Sequence, residues 1–225
     1  MNADRPLRVL VACEFSGTVR NAFLARGHDA WSCDLLPSED GSNRHIRGDA
    51  TELLGDGWDL LMVAHPPCTR LCNSGICWLT HAPKGKSLDT VWRELDEAAE
   101  LFSTFWNAPI ERIAIENPVM HRHARARIRN YAGPQQSIQP WQFGDEAQKR
   151  VCLWLKNLPE LQPTKELKLP PPRYCVRKTG PRAGSRYNYY FHQGKSGHER
   201  SRFFPGIAEA MADQWGGYVL ERLAA

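Results

Sequence analysis

The 225 residues hold 42% hydrophobic side chains and a net charge of +4, which allows one sizeable core and permits a nucleic-acid partner without requiring one. No apolar run approaches the ~18 residues of a membrane span, and no charged-then-apolar leader opens the chain, so neither a membrane protein nor a secreted one is expected. Seven cysteines, an odd number at irregular spacing, read as reduced thiols rather than a disulfide framework.

Residues 7–13 are an apolar run that predicts a buried strand. Residues 14–18 predict a tight turn into a helix carrying Val19, Ala22, Phe23 and Leu24, closed by Gly27-His28. Residues 29–33 predict a second strand, ending at Asp34. A strand, turn, helix and strand with an acid at the end suit a nucleoside ligand. Gly17 lets the ligand approach the backbone, and Asp34 can accept hydrogen bonds from a ribose diol. A single glycine is not a dinucleotide fingerprint, and a solvated strand end or helix cap accounts for Asp34 equally well. Asp49 reads either as an N-cap or as a carboxylate accepting from an adenine amino group.

Residues 59–64 predict a short buried strand, stopped by Pro66 and Pro67. Cys68 follows at its carboxyl end, where open α/β sheets place ligands. That place suits a nucleophile; the alternative is an inert buried cysteine. Residues 76–87 are irregular and lid-like by composition, and residues 88–106 repeat apolar side chains at a helical period. Residues 112–115 predict another strand, ended by Glu116-Asn117-Pro118. Residues 121–131 are basic, and His121 and His123 within them read as phosphate-facing or surface groups. Residues 138–143 read as extended, 148–155 as a strand and 159–172 as a proline-rich linker. Residues 173–202 mix cations with aromatics, which suits phosphate contact and base stacking, or a solvated basic hairpin. Residues 205–223 predict a closing helix interrupted at Gly216-Gly217. His65, Cys68, Cys72 and Cys77 lack the spacing of a zinc ribbon, so no metal is expected.

Taken in order, these features resemble one family. Phe15-x-Gly17, Asp34 and Gly48-Asp49 come first. Pro67-Cys68 with Ser74-Gly75, Glu116-Asn117, Gln148-Lys149-Arg150 and Gln214-Trp215-Gly216 follow. The set is similar to the DNA cytosine-5 methyltransferases, in particular the compact phage-type proteins. The resemblance implies an α/β, Rossmann-like, S-adenosylmethionine-dependent methyltransferase fold, a mostly parallel sheet flanked by helices with a minimal basic target-recognition insertion. It divides the chain into a catalytic core (residues 1–155), a reduced recognition region (156–200) and a C-terminal helix returning to the core (201–225).

By that resemblance Cys68 is the covalent nucleophile on carbon 6 of cytosine. Glu116 hydrogen-bonds nitrogen 3 and the amino group, Arg150 holds the carbonyl oxygen or a phosphate, and Asn117 buttresses the loops. S-adenosylmethionine falls to Phe15, Ser16, Gly17, Asp34, Asp49, Pro66, Gln214 and Gly216. DNA falls to Arg70, Ser74, Arg122, Arg125, Arg177, Lys178, Arg182, Arg186, Tyr189 and Lys195, with the target base flipped from a duplex or already single-stranded. A cytoplasmic, monomeric, phage-encoded enzyme is implied. The chain departs from the family at Thr18 and Val19 in the glycine loop and at Thr69 after the cysteine. It departs again at Cys152, where a second arginine is usual, and at Gly217-Tyr218 after Gln-x-Gly. These departures leave room for the same covalent scaffold making another pyrimidine modification or acting on nucleotides, or for a catalytically idle DNA-binding protein.

Overall fold

Successive side chains of a strand point to opposite faces, and here both faces are apolar. In β1 (Arg8–Ala12), Val9 and Val11 join one buried cluster, while Leu10 and Ala12 join another. In β4 (Leu60–Val63) the alternation repeats, with Leu60 and Met62 on the first side and Leu61 and Val63 on the second. The first cluster is completed by α1 (Thr18–Leu24) and the last helix, α4 (Pro205–Ala224); the second by α2 (Leu88–Trp106) and the short α3 (Arg122–Arg125). A sheet sandwiched between two helix layers follows directly. The computed structural model describes residues 5–168, 174–179, 183–188 and 202–224.

The main sheet has the order β3-β2-β1-β4-β5-β7-β6. Its further strands are β2 (Asp29–Asp34), β3 (His45–Arg47), β5 (Ile113–Asn117), β6 (Gln136–Ile138) and β7 (Val151–Lys156). The first five strands pair parallel, whereas β7 runs antiparallel to both β5 and β6. The fold is therefore Rossmann-like: a mostly parallel α/β sheet flanked by helices. From β1 the chain first moves outward to β2 and β3, then crosses back to β4 and β5 on the other side. This reversal makes a crevice between the carboxyl ends of β1 and β4, where such sheets bind ligands. Among the described residues, β8 (Tyr174–Val176) and β9 (Arg186–Asn188) form a separate antiparallel pair. No described helix is long and apolar enough to cross a membrane.

Several local expectations are corrected. The closing helix runs unbroken from Pro205 to Ala224. A Cβ at Gly216 would lie 2.5 Å from His28 Nε2, so glycine is what this contact requires. Packing there outweighs the ~1 kcal/mol that a helical glycine costs. β7 begins at Val151, which leaves Gln148-Lys149-Arg150 in the segment before the strand. Pro140–Gln142 is a 3₁₀ turn rather than extended chain, and part of the lid-like stretch is ordered as a 3₁₀ helix, Asn73–Leu79.

Candidate active site

Cys68 stands on the loop that leaves β4, and its carbonyl accepts hydrogen bonds from the Leu71 and Cys72 amides, both at 3.0 Å. The chain thus makes one tight turn and brings Cys72 back beneath Cys68. Three struts fix this turn. Asn73 N–H donates to the Val119 carbonyl and His121 N–H to the Leu71 carbonyl, each at 3.0 Å, pinning the loop to the segment after β5. His121 accepts from Ala124 N–H at Nδ1 (3.1 Å), so Nε2 carries the proton and donates to the Arg70 carbonyl at 2.7 Å. At 1% exposure His121 is a buried brace, not the phosphate-facing or surface group that its basic neighbours suggest.

The Ser74-Gly75 pair also has a structural reason. A Cβ at Gly75 would lie 2.1 Å from the Thr69 carbonyl oxygen, a backbone atom one residue from Cys68. Gly75→Ala is therefore expected to push the Cys68 turn outward. The predicted cost is about 1–3 kcal/mol of stability, read in urea denaturation, together with faster alkylation of Cys68 by iodoacetamide.

Glu116 is the penultimate residue of β5, the strand next to β4, and is 4% exposed. Its Oε1 is buried with no hydrogen-bond partner. Burial pushes its carboxyl above the usual range, against the pull of Lys149. His65 lies on the same loop as Cys68, with its ring 5.5 Å from that of Phe203 and its Nε2 equally unpartnered. Burial, then the Lys149 charge, lowers it to about 3, so the imidazole is neutral. Asn117 adds two buried, unpartnered atoms, Oδ1 and Nδ2. Strand alternation turns it to the sheet face opposite Glu116, opposite Cys152 in register. Buried polar atoms are almost always satisfied. Glu116 Oε1 and His65 Nε2, at the ends of two adjacent parallel strands, are orphans that a polar ligand would satisfy.

The two thiols are close enough to shift each other's titration in opposite directions. Cys68 is held protonated, first by its interaction with Cys72, then by burial and by the charges of Cys72 and Glu116. Cys72 moves the other way, because the Cys68 thiol, the Ser74 hydroxyl at 3.0 Å and the Ser74 and Gly75 amides all favour its thiolate. Lys149 is the cation whose charge reaches Cys68, Glu116 and His65 together, and its Nζ lies 5.7 Å from the Phe204 ring centroid. Arg150 is exposed and acts on Cys152 instead. The Gln-x-Arg pattern leaves Lys149 unspecified, so sequence alone gave no signal for it.

On the other side of the crevice, the loop after β1 holds Phe15, Ser16 and Gly17. Phe15 is buried, Ser16 Oγ lies 3.1 Å from Thr18 Oγ1, and Gly17 adopts φ 73° as the residue before α1. The residue that satisfies the start of α1 is Glu14, which the sequence reading passed over. It accepts from Val19 N–H at 2.6 Å and from Arg20 N–H at 3.1 Å while fully buried. Burial nevertheless raises its carboxyl to about 7. Between the unfolded value of ~4.3 and about 7 the folded chain binds the extra proton, so stability falls as pH rises through this window. Glu14→Gln is expected to lose that pH dependence, checked by comparing urea midpoints at the two ends of the window.

Asp34, half-buried at the end of β2, accepts from Leu36 N–H at 2.9 Å through Oδ1. Asp49 is the N-cap of a 3₁₀ turn and accepts from Thr51 N–H at 2.9 Å and Oγ1 at 2.8 Å, again through Oδ1. The second oxygen of each has no hydrogen-bond partner among the described residues. Both charges act on half-buried Cys13, which leaves β1, so the two carboxylates converge on the same end of the sheet. These carboxylates are acceptors, and they fit the hydroxyl and amino donors of an adenosyl cofactor.

Other predicted contacts are placed elsewhere. Pro66 is buried, two residues before Cys68. Gln214 lies within α4, not at its start, and its amide makes two hydrogen bonds, each 2.8 Å, to the backbone of Gln162. Gly216 packs on His28. Arg70 pairs with Glu94 of α2 at 2.8 Å, and Ser74 is bonded to Cys72. Arg122, Arg125, Lys178 and Arg186 are exposed, with Arg186 stacked 4.8 Å from the Tyr174 ring centroid; Arg177 is half-buried. Arg182, Tyr189 and Lys195 lie outside the described residues. Among the described residues, no three His, Cys, Asp or Glu side chains come together as a metal site.

No protein-family model matches the chain, and no curated protein sequence matches it. Among solved structures, it is similar to the Entamoeba histolytica methyltransferase EhMeth, at 13% sequence identity and a TM-score of 0.43. The match covers 73% of this chain and spans 58% of that protein's length.

Proposed function

We propose that this chain is an S-adenosylmethionine-dependent DNA cytosine-5 methyltransferase that acts through a covalent Cys68 adduct on a flipped-out or single-stranded base. One observation carries the reading: a thiol and a buried, unpartnered carboxyl, Cys68 and Glu116, stand at the carboxyl ends of adjacent parallel strands beside the sheet's reversal point. A neutral carboxyl presents a donor next to an acceptor, which complements nitrogen 3 and the amino group of cytosine. Cys68 passes its proton to Cys72 and attacks carbon 6. The electron pair moves toward carbon 5, and Glu116 donates to nitrogen 3 as charge builds on the ring. Lys149 balances the thiolate and the carboxyl. The Phe15–Gly17 loop, Asp34 and Asp49 would hold S-adenosylmethionine, which when bound supplies an electrophilic methyl group. Once carbon 5 carries the added methyl group, it loses its proton to solvent. The C5–H electron pair restores the 5,6 double bond and expels the Cys68 thiolate, and the nitrogen 3 proton returns to Glu116.

The buried Cys152, opposite Asn117 where a second arginine is usual, favours one further reading: the same addition with a different product. The covalent step is tested with an oligonucleotide containing 5-fluorocytosine, in which fluorine blocks that last step. The adduct is expected on tryptic peptide 48–70, which contains Cys68. An adduct on peptide 71–84, which contains Cys72 and Cys77, contradicts the assignment.

A further inference from the structure

The turn after β4 holds two thiols, and only one is needed as a nucleophile. Cys72 N–H donates to the Cys68 carbonyl at 3.0 Å. An i→i+4 bond of this kind sets the two Cα atoms about 6 Å apart, within the span of about 4.4–6.8 Å that a disulfide bridges. The two thiols also shift each other's titration, as neighbouring sulfurs do. Cys68 is half-exposed, so a small solute can reach its sulfur, while Cys72 is only 7% exposed. The Ser74 hydroxyl 3.0 Å from the Cys72 sulfur supports a thiolate in the pair, and the thiolate is the form that reacts with oxidants.

We propose that Cys68 and Cys72 form a reversible dithiol–disulfide site, oxidised by peroxide. The ionised sulfur attacks one peroxide oxygen, the O–O bond breaks, and hydroxide leaves to be protonated as water; the product is a sulfenic acid. The second sulfur then attacks the sulfenic sulfur. The S–O bond breaks, and the departing hydroxide takes the second thiol's proton as water. In balance, two thiols and one peroxide yield one disulfide and two waters. The bond removes the free thiol of Cys68 and shields it from irreversible oxidation. A small-molecule dithiol restores it by exchange.

The sequence makes the test direct, because trypsin cuts after Arg70, between the two cysteines. The full chain is treated with hydrogen peroxide, its free thiols are alkylated, and it is digested without reduction. Peptide 48–70 is expected to be linked to peptide 71–84, with fragment ions placing the bond at Cys72. Intact mass falls by two hydrogens and returns with dithiothreitol. The link persists in Cys77→Ser. In Cys72→Ser the link is lost, and Cys68 proceeds to the sulfinic acid. A missing link in the wild-type chain overturns the proposal, and so does a link that survives in Cys72→Ser through Cys77. The wild-type map decides the matter even where a variant folds poorly. These readouts are masses and stand whether or not the chain transfers methyl groups.

Discussion

Replacing Cys68 with alanine is expected to reduce turnover by about 10⁶-fold, the range that loss of a covalent nucleophile reaches. The thiol is half-exposed on a turn whose geometry is set by backbone hydrogen bonds from Leu71 and Cys72. Its removal leaves no core cavity, so stability is predicted to change by less than about 1 kcal/mol. Single-turnover rates on DNA and a urea titration check the two halves of this prediction. A variant that unfolds would show that Cys68 is a packing residue. A variant that keeps its rate would show that another group performs the addition.

Glu116→Gln is predicted to lower kcat by about 10²–10⁴-fold, the range for loss of a positioned proton donor, with KM little changed. The amide keeps a donor beside an acceptor but cannot yield a proton to nitrogen 3. Its effect on stability has the opposite sign. Burial raises the Glu116 carboxyl, so the folded chain holds that proton over a range where the unfolded chain has lost it. Wild-type stability therefore falls as pH rises through that range, whereas Glu116→Gln does not pay this cost. The variant should be slower yet more resistant to urea at the upper end of the range. Equal pH dependence in the two proteins would place the carboxyl in water. Catalysis by the wild type should also weaken as pH rises through the same carboxyl.

The parts of the fold that sequence reveals are those where one physical demand dominates. β1, β4 and β5 lie inside a parallel sheet and so read as apolar runs. α2 shows its helical period and starts where Ser87 accepts from Thr90 N–H at 3.1 Å. β3 is hidden because it is a three-residue edge strand, His45–Arg47, with half-buried or exposed side chains. The break expected at Gly216-Gly217 follows from propensity, which the contact with His28 overrides. At the site, Cys68 and Glu116 are legible through the order of motifs. Lys149, the neutral His65 and the turn that pairs Cys68 with Cys72 are not. Each depends on which loops converge at one edge of the sheet, and no local pattern encodes that convergence. His121 is misleading for the same reason: its basic neighbours are exposed, but its own ring turns inward onto the Arg70 carbonyl.

The transfer itself is tested most directly by the mass of the product nucleoside. DNA is incubated with the chain and S-adenosylmethionine carrying a trideuterated methyl group, then digested to nucleosides. The expected product is a deoxycytidine in which one ring hydrogen is replaced by that labelled methyl. A deoxycytidine of unchanged mass, or one that gains mass without deuterium, would contradict the transfer.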